Sequence, residues 1–462
     1  MTVRPFNLIS SALLVLSMVP TGLGPAAPVA VPAPAGLLVT VSEVADAAAT
    51  IWTRSESERV RVRYAPVGDA ESLVEVQERP DPDRDFTAAV RLRGLRPGTR
   101  YAYEVLDDGD RADGQFTTAP AAHANASVRL LWSGDLGGKG HCRDIEDGYP
   151  IFRPMAQRHP DLFLFVGDTI YADQRCGHGA FVPGADFVAT TLDGYHAKHR
   201  YNRADQLVQR FFRNTAVYAT WDDHEVENNF WGSEDPLMPL GRRAFFDYFP
   251  IVASATDPER LYRRVRWGRN VEIFILDTRQ YRSSNWMADG PGKTMLGPTQ
   301  RRWLIEGVTI SDATWKIVVT SVPLGVFTGG GAADSWSNAN LLGLPRRSGT
   351  GFVNERDEIL RGLHDRGVHN VVFVACEVHH GEVVRHEPFP GYVIHEFLAG
   401  PLAARAGYPL PLDRSLRSRS LGSLGLALNF GEIEADGEAL QVRIIDAAGA
   451  VRVSQRIPAL RN

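Results

Sequence analysis

Five apolar runs in this chain end in the same way. "VRLLWSGD" stops at Asp135, "DLFLFVGD" at Asp168, "AVYATWDDHE" at Asp222 and Asp223, "VEIFILDTR" at Asp277, and "NVVFVACEVHH" at Glu377. Carboxylates brought together repel unless a cation compensates them, so convergence of these endings predicts a metal site. The stretch "ATWDDHEVENNF" adds His224, Glu225 and Asn228 to Asp222 and Asp223, a donor density suited to a hard cation and a phosphate oxygen. "GDTIY" places Tyr171 three residues after Asp168, and "ACEVHHGEV" supplies Glu377, His379 and His380. In a continuing strand Glu377 and His379 share one face, which makes them the expected ligands, while His380 faces away and supports them.

The elements that must position these residues follow from the hydrophobic pattern. From Val128 onward the runs are continuously apolar and separated by amphipathic stretches, which predicts strands buried on both faces under helices, an α/β domain over 128–462. In such sheets the ligand crevice lies beyond the carboxyl ends of the strands, where the acidic endings fall. Residues 36–118 alternate instead, in short runs between turns, and predict a small all-β sandwich; residues 119–127, "APAAHANAS", form a linker. The stretch from Gly431 reads as a terminal hairpin or three-strand meander covering a sheet edge. The Gly-rich stretch 328–345 has no strand–GxxxxGK–helix order, so it is no P-loop and reads as an active-site rim.

Composition narrows the partners. With 44% apolar residues and a net charge of -5, the chain is expected to be soluble and globular, without the basic field that duplex nucleic acid requires. Residues 1–35 carry Arg4, an apolar core from Leu8 to Val19 and an Ala33-Pro34-Ala35 step, a secretory signal layout that predicts a secreted or periplasmic protein with no later membrane span. The three cysteines form no CxxC pair. Cys142 and Cys176, in loops after consecutive strands, can pair in an oxidising compartment, whereas Cys376 reads as a buried small hydrophobe.

Taken in order, "GDTIY", "WDDHEVENN", "LDTRQYR" and "EVHH" resemble the motifs of the PhoD-like (alkaline phosphatase D) metallophosphatases, and "LRGLRPGTRYAYEV" resembles a fibronectin type III module. The resemblance implies a four-layer, calcineurin-like metallophosphoesterase sandwich preceded by a fibronectin-like domain, with Fe(III) and Ca(2+) as cofactors. By motif position Asp168 bridges metals, Tyr171 is the phenolate ligand to iron, and Asp223, Asn228, Glu377 and His379 fall on metal-binding segments. The family's first ligand is a cysteine; counting back from "EDGY" places it at Cys142, while counting from the strand end reaches Asp135, and both remain open. Glu377 stands where the family commonly has aspartate. The implied activity is hydrolysis of phosphate monoesters or diesters by a metal-bound hydroxide. Asp222 and His224 are the expected catalytic side chains, with His224 or His379 protonating the leaving group. Arg279 is the favoured phosphate contact, ahead of Arg143 and Lys139. The expected partner is a small or polymeric phosphate ester met by a monomer. The alternative is a secreted phosphate- or polymer-binding protein with a non-catalytic metal site.

Overall fold

Six of the apolar runs form short buried strands: Val128–Ser133 (β1), Leu162–Val166 (β2), Ala216–Thr220 (β3), Val271–Ile275 (β4), Trp315–Val319 (β5) and Val371–Ala375 (β6). The computed structural model describes residues 37–460 except 139, 178, 179, 253, 255 and 347. The predicted signal segment and Lys139 lie outside the described residues.

The six strands divide between two sheets. β1, β2 and β3 pair in parallel, as do β4, β5 and β6. Side chains alternate across each strand, and both faces are apolar for different reasons. Leu130, Trp132, Leu162 and Leu164 of the first sheet join Ile273, Ile317 and Val372 of the second in the core between the sheets. Phe163 and Phe165 point outward beneath Phe211, Phe212 and Phe245 of the helices Gln206–Phe212 and Met238–Tyr248. On the far side Phe274, Val318 and Phe373 pack under Leu304 and Leu360 of the helices Gly297–Ile310 and Val353–Asp365. The order helix, sheet, sheet, helix accounts for the continuous hydrophobicity of these strands. Truncating a central ring such as Phe163 to alanine is expected to cost about 3–5 kcal/mol.

The N-terminal all-β region is built into this frame. Strands Leu38–Ser42, Ala48–Arg54 and Thr87–Arg93 extend the first sheet, Ser42 pairing in parallel with Val217 of β3. They face a four-stranded sheet containing Val60–Pro66 and Arg100–Leu106. Val39, Ile51, Val62 and Val90 of this region are continuous with the core between the two large sheets. At the opposite edge the strands Asn429–Ala435, Ala439–Asp446 and Val451–Pro458 form the expected antiparallel meander, pairing with β1. Among the described residues no helix is long and apolar enough to cross a membrane.

Candidate metal centre

Every acidic ending stands two residues beyond its strand: Asp135 after Ser133, Asp168 after Val166, Asp222 after Thr220, Asp277 after Ile275 and Glu377 after Ala375. The strand ends of the two sheets meet there, Ser321 Oγ beyond β5 donating to Asp222 Oδ1 at 2.8 Å. Three of the assembled residues, Asp135, Asp168 and Glu377, adopt left-handed backbone angles (φ +59°, +48° and +40°), and so does His379 (+55°). Such angles are uncommon for residues with a Cβ and cluster where function constrains the backbone.

The donors form three overlapping groups, Asp135 with Asp168 and His379, Asp168 with Asp223 and His224, and Asp222 with Asp223 and Glu377, each with ligand atoms within 4.8 Å of one another. Asp168 and Asp223 are shared, as bridging carboxylates would be. Both oxygens of Asp135, Oδ2 of Asp168, the Tyr171 hydroxyl and Oδ2 of Asp222 are buried without a hydrogen-bond partner among the described residues. Buried polar atoms are ordinarily satisfied. A set of unpaired oxygens facing other carboxylates fits cations.

Protonation preferences agree. Burial, then neighbouring carboxylates, pushes Asp168 and Glu377 well above the usual range. Burial also raises Asp135, and lifts Asp222 to about 6. Burial would raise Asp223 as well, but the charges of His224 and Arg279 hold it below the usual value. Burial first, then Asp168, pushes the Tyr171 phenol far up, so its ionisation here requires a compensating cation. Gly138 makes room for that ring: a Cβ there, at φ +91°, would fall inside it.

Two histidines are held in defined tautomers. His379 Nδ1 lies 2.7 Å from the Arg405 carbonyl, which can only accept, so Nδ1 donates there and Nε2 is turned toward Asp135 Oδ1 at 3.8 Å. A carbonyl in that place is the usual orienting partner of a metal-ligating histidine. His224 stacks on Tyr171, ring centroids 4.1 Å apart, and its Nδ1 donates to Asp173 Oδ1 at 2.7 Å. Asp173 was missed from the sequence; its signal is the acidic residue two positions after Tyr171 in "GDTIYAD".

Several expectations need correction. Cys142 and Cys176 form a disulfide, so Cys142 has no thiolate to offer, and of the two candidates for the first ligand position it is Asp135 that lies in one of the three donor groups. Asn228 is exposed, and among the described residues only its backbone amide is tied inward, to Asp173 at 3.2 Å. Arg279 does not face a substrate. Its side chain is 0% exposed, with Nε 2.6 Å from Asp222 and the two Nη atoms 3.0 and 2.9 Å from Asp334. Asp334, in the Gly-rich rim, also takes Arg282. Asp277 caps the segment after β4 through Trp221 and two amides and stands outside the three groups. The strand before Glu377 ends at Ala375, so a left-handed bend, not alternation, brings Glu377 and His379 to the centre. His380 is buried against Glu382 at 3.2 Å. Arg143 is held by Asp205 at 3.6 Å.

The sequence profile of the PhoD-like phosphatases matches residues 140–438. The chain belongs to the PhoD-like phosphatase family. Alkaline phosphatase D of Bacillus subtilis (strain 168) is 26% identical over 336 residues, covering 64% of this chain. The match spans about half of that relative, 54% of its length. A solved structure of PhoD superposes with a TM-score of 0.74 at 18% identity, covering 92% of this chain and 89% of that one. A purple acid phosphatase from yellow lupin (Lupinus luteus) seeds superposes with a TM-score of 0.63 at 13% identity, covering 92% and 74%. Both place this family member in the metallophosphatase fold.

Proposed function

We propose that the chain is an exported, metal-dependent phosphoesterase hydrolysing phosphate monoesters and diesters. The observation that carries this reading is the set of unpaired buried oxygens on Asp135, Asp168, Tyr171 and Asp222, within a fold shared with phosphatases. Asp135, Asp168, Tyr171 and His379 would hold Fe(III), whose affinity for anionic phenolate oxygen suits Tyr171. Asp223, Glu377 and Asp222 would hold Ca(2+) through oxygen alone. Cations held there neutralise phosphoryl oxygens and acidify a water. The remaining work belongs to the chain. Asp173 fixes the His224 tautomer and ring plane, so that His224 holds a proton for the leaving group. Tyr171 stacks against His224 and limits its rotation. The Cys142–Cys176 disulfide supports export to an oxidising compartment. The three- and four-stranded faces of the N-terminal region support the fibronectin-like reading.

The test is hydrolysis of p-nitrophenyl phosphate and bis-p-nitrophenyl phosphate by protein as purified, after chelation, and after readdition of iron and calcium. Metal-restored turnover is expected, and the rate ratio assigns monoester or diester preference. Tight phosphate binding by folded, metal-loaded protein without turnover of either ester would replace the enzyme with a binding protein.

A further inference from the structure

Beside the metal centre lies a surface whose charge opposes that of the molecule. Segments 336–346 and 399–424 contain one acidic residue, Asp413, and it is buried against Arg356 at 2.9 Å. The same segments expose Arg346, Arg405, Arg414, Arg417 and Arg419, none of which forms an ion pair among the described residues. Glu387, which feels the charge of Arg417, is already held by Arg385 at 2.9 Å. On a chain of net charge -5 this is a local cationic face.

The face also carries apolar tips. Leu341 and Leu342 are 72% and 66% exposed, and Tyr408 is 71% exposed. The leucines sit on a closed turn: Gly343 N donates to Asn340 O at 2.8 Å, and Asn340 Oδ1 accepts from Leu342 N and Leu344 N at 2.9 and 3.0 Å. That turn is fastened to the neighbouring segment, where Arg414 N donates to Gly343 O at 2.9 Å. The segment in turn lies against the metal centre, Leu410 and Leu412 packing with Val378 and Gly407 N donating to His379 O at 2.7 Å.

We propose that this face docks the mouth of the metal centre on an anionic lipid surface, Leu341 and Leu342 entering the acyl boundary while the arginines meet the headgroups. Arginines alone would serve a soluble polyanion. The outward leucines on a braced turn have no role there, whereas rigid apolar tips on a segment shared with exposed arginines are the layout of an interfacial anchor.

The experiment is sedimentation of the full chain with phosphatidylcholine vesicles, with and without phosphatidylglycerol, at low and physiological salt. Binding is expected only to the anionic vesicles and should weaken with salt. Leu341→Asp with Leu342→Asp should lower the partition coefficient by about tenfold or more. Each of Arg414→Ala, Arg417→Ala and Arg419→Ala should lower it about fivefold, independently of whether the leucine variant folds. Circular dichroism and hydrolysis of p-nitrophenyl phosphate should match the parent for all of them. No binding to anionic vesicles at low salt, or binding untouched by every variant, overturns the proposal. Equal binding of inorganic polyphosphate by parent and leucine variant, with vesicles unbound, would reassign the face to a soluble polyanion.

Discussion

Replacing Arg279 with methionine separates two accounts of this arginine that the motif alone cannot tell apart. Methionine approximates its length and apolar stem but removes the charge that Asp222 and Asp334 share, both of whose side chains are 0% exposed. Removing one partner of a buried ion pair costs about 3–5 kcal/mol, because the remaining charge stays buried and uncompensated. Against a typical total of about 5–15 kcal/mol, that is a large fraction of the stability. The cost should depend on pH. Burial already lifts Asp222 to about 6, and loss of Arg279 removes its main opposing charge. A carboxyl with a folded pKa above its unfolded value takes up protons on folding, so the variant regains stability as pH falls. The recovery is limited to about 1.4 kcal/mol per pH unit per group. Urea denaturation of the metal-free proteins at neutral pH and near pH 5 measures both effects. The expected result is a lowered midpoint whose deficit narrows on the acid side. If the midpoint moves by less than about 0.5 kcal/mol equivalent while KM for p-nitrophenyl phosphate rises, Arg279 contacts substrate and the buried-pair reasoning is refuted.

Asp173→Asn should lower kcat about tenfold or more with little change in KM, and should shift the limb of the pH–rate profile governed by His224; a uniform scaling at all pH values would deny it an orienting role. Gly138→Ala should displace Tyr171, lowering bound metal measured by elemental analysis more than it lowers Tm, with a stability cost of about 1–3 kcal/mol. The denatured, metal-free protein should show one reactive thiol, Cys376, and opening the Cys142–Cys176 link by Cys176→Ser should cost about 4 kcal/mol, given 34 residues of separation. Three reactive thiols would return Cys142 to the list of ligands.

What could be read from the sequence, and what could not, divides along the range of the interactions. Parallel strands buried on both faces write their hydrophobicity continuously, and a site at their carboxyl ends repeats the same local offset, so Asp135, Asp168, Asp222 and Glu377 announced themselves one strand at a time. The roles that escaped depend on partners far along the chain. Arg279 follows its strand as a phosphate ligand would, and Asp222, 57 residues earlier, together with Asp334, 55 residues later in a Gly-rich stretch, turns it into a buried strut. Asp173 acquires its role from His224, 51 residues away. Ser42 meets Val217 across the whole intervening fold, which is why alternation marked the N-terminal strands as β but not as a continuation of the first sheet. Cys142 offered two chemistries at one position, ligand and crosslink, and the choice lay with Cys176. Glu377 and His379 carry the sharper lesson, since the expected pairing arose from the wrong geometry. Alternation would tolerate any residue at 378, whereas the bend observed requires left-handed angles at 377 and 379 with Val378 packed between them. Substituting Val378 should therefore disturb both candidate ligands together, a coupling that an ordinary strand would not produce.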